Sequence, residues 1–323
     1  MKIAVILSLF VCCMAASAKE KVEMTKVRIG WQVPWAIQGQ IVQILKHTDI
    51  LKKNQIEATF IGKTFGPELN ELAMAKEIDV VLTADQPAAV LFSKDKGWVG
   101  FSRLMYNRTS TYVPVKSPIK SLKDLKGLTL GVPFGAAAER VTSEALVEVG
   151  LKPKTDVTYI NLGMAEHMPL VKKADKEATK FDQFDVLSGF DPIPAIMEAN
   201  GLVRTIHSGK VVAMALTNKD FIAQNKTFTK NFRKALVEAY AYYNKHEKEA
   251  NAWFMEEAKM TDVPESTWTH VKMYEPNFKA KKNKDIKVTF SEDDFSVMQR
   301  GADFVEKATG KKINMKDFVG NDY

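Results

Sequence analysis

Residues 126–146 read KGLTLGVPFGAAAERVTSEAL. Leu128 to Val132 is a short apolar run, Pro133-Phe134-Gly135 a tight turn, and a helix is expected to open at Ala136. Gly135 lets the backbone turn without the penalty a Cβ would bring. The helix carries Val141, Ala145 and Val149 on one face and ends at Gly150. Its first N–H groups lack helical partners and point back at the strand end. In an open α/β sheet that corner is where ligands sit.

The pattern repeats on both sides of this stretch. Upstream, Val27–Gly30 reads as a strand, Trp31 to Trp35 as a loop, and Ile37, Ile41, Ile44 and Leu45 as a helix face. Ile56, Ala58 and Phe60 alternate as a strand. Pro67 suits the first turn of the next helix, Ile78–Leu82 is a strand buried on both sides, and Pro87 opens another helix. Trp98 to Val115 is extended. Downstream come strands at Val157–Asn161, Asp185–Gly189, Leu202–Ile206 and Lys210–Leu216, with Asp191 placed to cap a helix that begins at Pro192. Phe228, Phe232, Ala235, Leu236, Ala239 and Tyr243 form one long stripe. Ser291 and Asp294 make a capping box for a last helix.

Strand-loop-helix units on this scale predict an α/β protein of two Rossmann-like lobes. Two crossing strands join them around a ligand cleft, with a helical C-terminal part. The expected division is a leader at 1–18, lobe 1 at 25–113, lobe 2 at 114–213, and a return to lobe 1 with the C-terminal helices at 214–323. Two lobes on two strands can hinge.

The leader reading rests on Lys2, the apolar run Ile3 to Ala15, and the small residues Ala16-Ser17-Ala18. This is a secretory signal peptide, with cleavage expected after Ala18 and export to the periplasm. Lipidation at Cys12 or Cys13 is the competing reading. Both cysteines lie in the leader, so a cleaved chain has no disulfide and no thiol nucleophile. The net charge is +7 over 323 residues. Its densest patch, KAKKNKDIK at 279–287, has no interleaved aromatics and reads as a solvated loop, so no nucleic-acid partner is expected.

Enzyme signatures are absent. A phosphate loop ending at Gly62-Lys63-Thr64 would need glycine where Glu57 stands, and no serine lies in a G-x-S-x-G elbow. His47, His167, His207, His246 and His270 lack metal-ligand spacing, so neither metal nor cofactor is expected. Asn107 and Asn225 head glycosylation sequons. What remains is five strand-end corners: Trp31-Gln32 with Trp35, Thr64-Phe65-Gly66, Thr83-Ala84-Asp85, Phe134-Gly135-Ala136, and Gly189-Phe190-Asp191. Four carry Trp or Phe, and a stacked ring is worth about 0.5–1.5 kcal/mol beyond area burial.

These stretches resemble the periplasmic substrate-binding proteins of ABC importers, in the nitrate, sulfonate, taurine and pyrimidine-precursor binding group with the type 2 fold. The likeness is carried by RIGWQVPW (28–35), GPELNELAMAKEIDVVLTADQPA (66–88), IKSLKDLKGLTLGVPFGAAAERVTSEALVEVGL (119–151), FDVLSGFDPIPAIME (184–198) and ADFVEKATGKKINMKDF (302–318). The resemblance implies a monomeric, non-enzymatic receptor that closes on a small nutrient and meets a membrane permease. It implies ligand contacts from Gln32, Trp35, Thr64, Phe65, Thr83, Asp85, Phe134, Gly135, Ala136, Phe190 and Asp191. Anion-binding relatives place hydroxyl residues after the turn; here Ala136, Ala137, Ala138 and Glu139 stand there. With Asp85 and Asp191 facing the cleft, the expected ligand is neutral, zwitterionic or cationic, with a flat part that Phe134 and Trp35 would hold. An oxyanion receptor and a sensory binding protein are the alternatives. A pyrimidine synthase shares this fold, but it resembles a suicide enzyme that depends on a cysteine-rich motif and iron, and the cleaved chain has no cysteine.

Overall fold

The computed structural model describes residues 23–174 and 177–323. The expected leader, its cleavage site and both cysteines lie outside the described residues.

One mixed sheet of eight strands forms the centre, in the order β2-β1-β3-β8-β4-β7-β5-β6. The strands are β1 (Thr25–Gln32), β2 (Ile56–Lys63), β3 (Val80–Ala84), β4 (Trp98–Pro114), β5 (Thr129–Val132), β6 (Thr158–Asn161), β7 (Val186–Phe190) and β8 (Val203–Asn218). The helices flanking the first three strands are α1 (Gln38–His47), α2 (Ile50–Lys53), α3 (Gly66–Met74) and α4 (Asp85–Lys94). The other half carries α5 (Ala137–Glu148), α6 (Met164–Lys173) and α7 (Ile193–Ala199). The C-terminal part adds α8 (Lys219–Gln224), α9 (Phe228–Tyr243), α10 (Glu247–Glu257), α11 (Ser266–Val271) and α12 (Glu292–Thr309). Among the described residues no helix is long and apolar enough to cross a membrane.

β2-β1-β3 and β7-β5-β6 are each parallel, as short strand-helix units require. Between them runs the long antiparallel pair of β4 and β8. β3 pairs with the C-terminal half of β8, and β7 with the C-terminal half of β4. The two crossing strands therefore lie at the middle of the sheet and link both halves. The boundaries expected at 113/114 and 213/214 fall near the end of β4 and inside β8.

Residues 202–206 and 210–216, expected as separate strands, run together as the single strand β8. Gly209 makes that possible: a Cβ there would lie 2.5 Å from Val141 Cγ1. Only glycine lets the crossing strand pass under α5 without a break. β1 is longer than expected and takes in Trp31 and Gln32, since pairing with β2 continues through Gln32↔Lys63. Asn107 is fully buried within β4, which removes it as a glycosylation acceptor.

The strands beside the crossing pair are buried on two faces, whereas the edge strands β2 and β6 are partly exposed. β3 and β7 are buried at every residue. Two charged side chains nonetheless lie in the core beside β4. Arg103 and Glu275 are 1% and 0% exposed and pair at 2.8 Å. Glu275 also accepts from the Tyr106 N–H (2.7 Å) and the Asn277 N–H (2.9 Å). A buried charge must be paired in this way to be tolerated.

A buried histidine marks the other half. The Tyr112 hydroxyl hydrogen-bonds His167 Nδ1, and His167 Nε2 lies 3.3 Å from the Leu162 carbonyl. With Nε2–H donating to Leu162, Nδ1 accepts from the tyrosine. Burial pushes His167 down from 6.5 to about 4. Its folded pKa is depressed, so the unfolded chain binds the proton more tightly. The contribution of this group is complete above pH 6.5 and is lost as pH falls toward 4. The gap is worth about 3 kcal/mol. Urea unfolding between about pH 7 and pH 4 is expected to show that decline, and His167→Gln to flatten it. An unchanged slope in the variant would remove His167 as the cause.

Candidate ligand-binding cleft

The C-terminal ends of β3 and β7 face each other along the crossing strands. Ala84 pairs with Ala213, which pairs with Met105; Phe190 pairs with Thr109, which pairs with Gly209. Four residue steps of β4 and β8 separate the two sheet ends, roughly 13 Å at strand rise. Tyr106, Asn107 and Arg108 form the floor from β4.

The walls touch above that floor. Trp35 and Phe190 meet edge-on, with ring centroids 5.9 Å apart and planes at 66°. The Ala36 N–H donates to the Asp191 carbonyl at 3.3 Å, and Asn107 Nδ2 donates to the Ala36 carbonyl at 3.3 Å. Asp85 and Arg140, from α4 and α5, are both fully buried and pair at 2.9 Å. Gly135 turns at φ +77°, and a Cβ on it would lie 3.4 Å from Pro67 Cγ. Residues of the two halves are thus in contact across the seam. On the α6 side a groove of about 510 Å³ opens between the halves, lined by Pro34, Met164, Met168, Ile193 and Met260.

The corner residues divide into three groups. Gln32, Trp35, Thr83, Ala136 and Phe190 are buried at the seam. Several polar atoms there have no partner among the described residues: Gln32 Nε2, Trp35 Nε1, Thr83 Oγ1, Asn107 Oδ1 and Ser110 Oγ. Buried polar atoms are almost always paired, so these exceptions have hydrogen-bonding capacity to spare. Thr64, Phe65 and Gly135 are half-buried at the rim.

The remaining three correct the expectations. Asp85 does not offer a free charge. Its Oδ2 holds Arg140 and its Oδ1 accepts from the Gln86 N–H at 2.8 Å. Burial is the largest influence and pushes its carboxyl up, against the pull of Arg140. Asp191 takes a bidentate grip from Arg108, at 2.9 and 3.0 Å, and Arg108 also reaches Glu198 at 2.7 Å. Burial pushes Asp191 up as well, and Arg108 opposes it. Phe134 is 40% exposed, with the Lys154 ammonium 5.3 Å over its ring, so it does not face Trp35. The turn that aims Gly135 inward points the preceding side chain out.

Glu139 explains the alanines after the turn. Its Oε2 accepts from the Gly135 N–H at 2.8 Å, and its Oε1 pairs with Lys154 at 2.8 Å. A side-chain carboxylate therefore covers the corner where an anion would bind. The same device closes α3, where Glu68 accepts from the Thr64 and Phe65 N–H groups at 2.7 and 3.2 Å. With Asp85 at α4, three helix starts at the cleft carry their own negative charge, which cancels the favourable dipole end.

Asn107, Arg108, Ser110 and Arg140 are the cleft residues the sequence reading missed. A weak signal existed for Arg108: it stands in the stretch 98–115, read as extended, and an arginine that such a strand buries must find carboxylates. Nothing in the spacing around Arg140 marks its buried partner, Asp85.

Two parallel runs joined by a long antiparallel pair, with their strand ends meeting at one seam, define a mixed α/β fold. A family model described as "NMT1/THI5 like" matches residues 70–250, more than half of the chain, and the chain belongs to that family. Solved structures share the fold. The alkanesulfonate-binding protein SsuA from Xanthomonas axonopodis pv. citri, bound to MOPS, is similar at TM-score 0.73 and 17% identity, covering 92% of this chain and 98% of its own. The periplasmic aliphatic sulphonate binding protein SsuA from Escherichia coli is similar at TM-score 0.71 and 18% identity, covering 91% of each. A cysteine-to-serine mutant of DSZB in complex with biphenyl-2-sulfinic acid is similar at TM-score 0.61 and 12% identity, covering 92% and 96%. No curated protein matches the chain by sequence.

Proposed function

We propose that this protein is the solute-binding receptor of an ABC importer, a periplasmic monomer that hinges shut on a small organic nutrient and presents it to a membrane permease. Residues 25–113 with 214–323 form one moving body and 114–213 the other. The role is binding without turnover. The buried carboxylates of the seam, Asp85 and Asp191, are tied to arginines and are not free to act as acid or base.

The observation that carries this reading is the unpartnered set at the seam: Gln32 Nε2, Trp35 Nε1, Thr83 Oγ1, Asn107 Oδ1 and Ser110 Oγ, none with a partner among the described residues. It combines donors and acceptors, which suits a neutral or zwitterionic molecule with a flat part against Trp35 and Phe190. Glu68, Asp85 and Glu139 already occupy the helix starts, which weighs against sulfonate or nitrate.

A thermal-shift panel of nutrients tests the proposal. A ligand at about a hundred times its Kd raises stability by about 2.7 kcal/mol. Amides, amino acids and nitrogen heterocycles are expected among the hits, and short sulfonates and nitrate are not. With a hit in hand, Thr83→Val is expected to weaken binding roughly five- to tenfold through one lost hydrogen bond. The unliganded melting point should stay level or rise, because that hydroxyl has no partner among the described residues. Unchanged affinity would remove Thr83 from the site. Selective binding of sulfonates would overturn the ligand class and leave the receptor reading standing. No hit in any class would overturn both.

A further inference from the structure

A second cavity lies away from the strand ends, on the seam between α5 and α12. It is an open groove of about 410 Å³, and its walls include Glu144, Val147, Pro153, Lys154, Phe304 and Lys307. Val147 is 62% exposed, an unusual place for a large apolar side chain. With Phe304 and Pro153 it makes an apolar lining of a size that takes a small organic molecule.

The charges around it nearly cancel. Lys154 is held by Glu139 at 2.8 Å, and Glu144 by Arg140 at 3.2 Å. Lys307 has no ion pair among the described residues, which leaves its cation beside an apolar wall.

We propose that this cavity is a second ligand site, for a small monoanion with an apolar body, such as an aromatic or medium-chain carboxylate. Its apolar part packs on Val147, Phe304 and Pro153, and its charge meets Lys307. One wall comes from α5 in the middle third of the chain and the other from α12 in the C-terminal part. An occupant bridges the two and favours the closed arrangement. The route to the cleft is short, since Glu144 shares Arg140 with Asp85. Any ligand of the cleft and the occupant of this cavity then strengthen each other reciprocally.

Fluorescence titration of the full folded chain with 8-anilinonaphthalene-1-sulfonate, an aromatic monoanion, tests the site. Saturable binding at one site is expected, displaced by octanoate about tenfold more effectively than by octanol. Val147→Glu and Lys307→Glu change exposed positions and should fold normally. Each is expected to weaken the probe roughly tenfold, with an unchanged melting point. Thr83→Val, in the cleft, should leave probe binding as it is. Absence of saturable binding, equal displacement by octanol, indifference to both surface variants, or loss with Thr83→Val would each overturn the proposal.

Discussion

Arg140→Met is expected to destabilise the protein by about 3–5 kcal/mol, because it strands the Asp85 carboxylate in the core. Both side chains are fully buried, and the replacement leaves Asp85 only the N–H groups of Gln86 at 2.8 Å and Val212 at 3.5 Å. Two backbone donors do not repay the desolvation of a carboxylate. Its protonation, already favoured by burial, becomes the cheaper state. Urea unfolding at neutral pH reads the loss directly, and a thermal scan should show a drop of roughly 6–20 °C. Removing both partners, as Asp85→Leu with Arg140→Met, is expected to recover most of the stability, since neither charge is then left unpaired. Small-angle scattering supplies a readout that packing alone does not move. The pair joins α4 to α5 across the cleft, so its loss should expand the unliganded protein. A single variant as stable and compact as the parent would show that the pair does not hold the halves together.

Glu275→Ala should be equally costly for a different reason, again about 3–5 kcal/mol. Glu275 and Arg103 are almost wholly inaccessible, and Glu275 serves four donors at once: Arg103 Nη1 at 2.8 Å and Nη2 at 3.4 Å, with the N–H groups of Tyr106 and Asn277. The Arg103 guanidinium is pushed down by burial, yet Glu275 outweighs this and holds it above the ordinary arginine range. Without Glu275 that cation sits in the core with only the Lys287 carbonyl and the Tyr106 ring, 4.3 Å away, to face. The same arginine receives Val288, whose carbonyl accepts the Arg103 N–H at 2.9 Å. The segment at 275–288 should therefore loosen. Limited trypsin digestion is expected to cut the lysine-rich run 279–287 faster in the variant. Cleavage at the parental rate, with unfolding unchanged, would show that the pair is dispensable.

The legible parts of this protein are those governed by neighbours in the chain. The turn at Pro133-Phe134-Gly135 was readable because proline restricts φ and Gly135 adopts φ +77°. The apolar runs of β3 and β7 identified strands buried on two faces. The stripe Phe228 to Tyr243 and the capping box at Ser291–Asp294 formed as their spacing required. The strand-end corners followed from that order, and Trp35 and Phe190 do meet there.

Partnership was different. The sequence alone points to Asp85 and Asp191 as charges available to a ligand, and to Phe134 as a wall. Asp85 instead meets Arg140 55 positions away, Asp191 meets Arg108 83 positions away, and Glu275 meets Arg103 172 positions away. No periodicity marks such pairs, because a Coulomb contact depends on distance in space and on burial, and both are fixed only when the sheet closes. The sequence by itself determined the α/β architecture, the crossing strands and the corners, since turn chemistry and apolar spacing act over a few residues. Tertiary structure alone decided which charges are spent within the protein, that Glu139 covers its own helix start, and which buried polar atoms are left without a partner among the described residues.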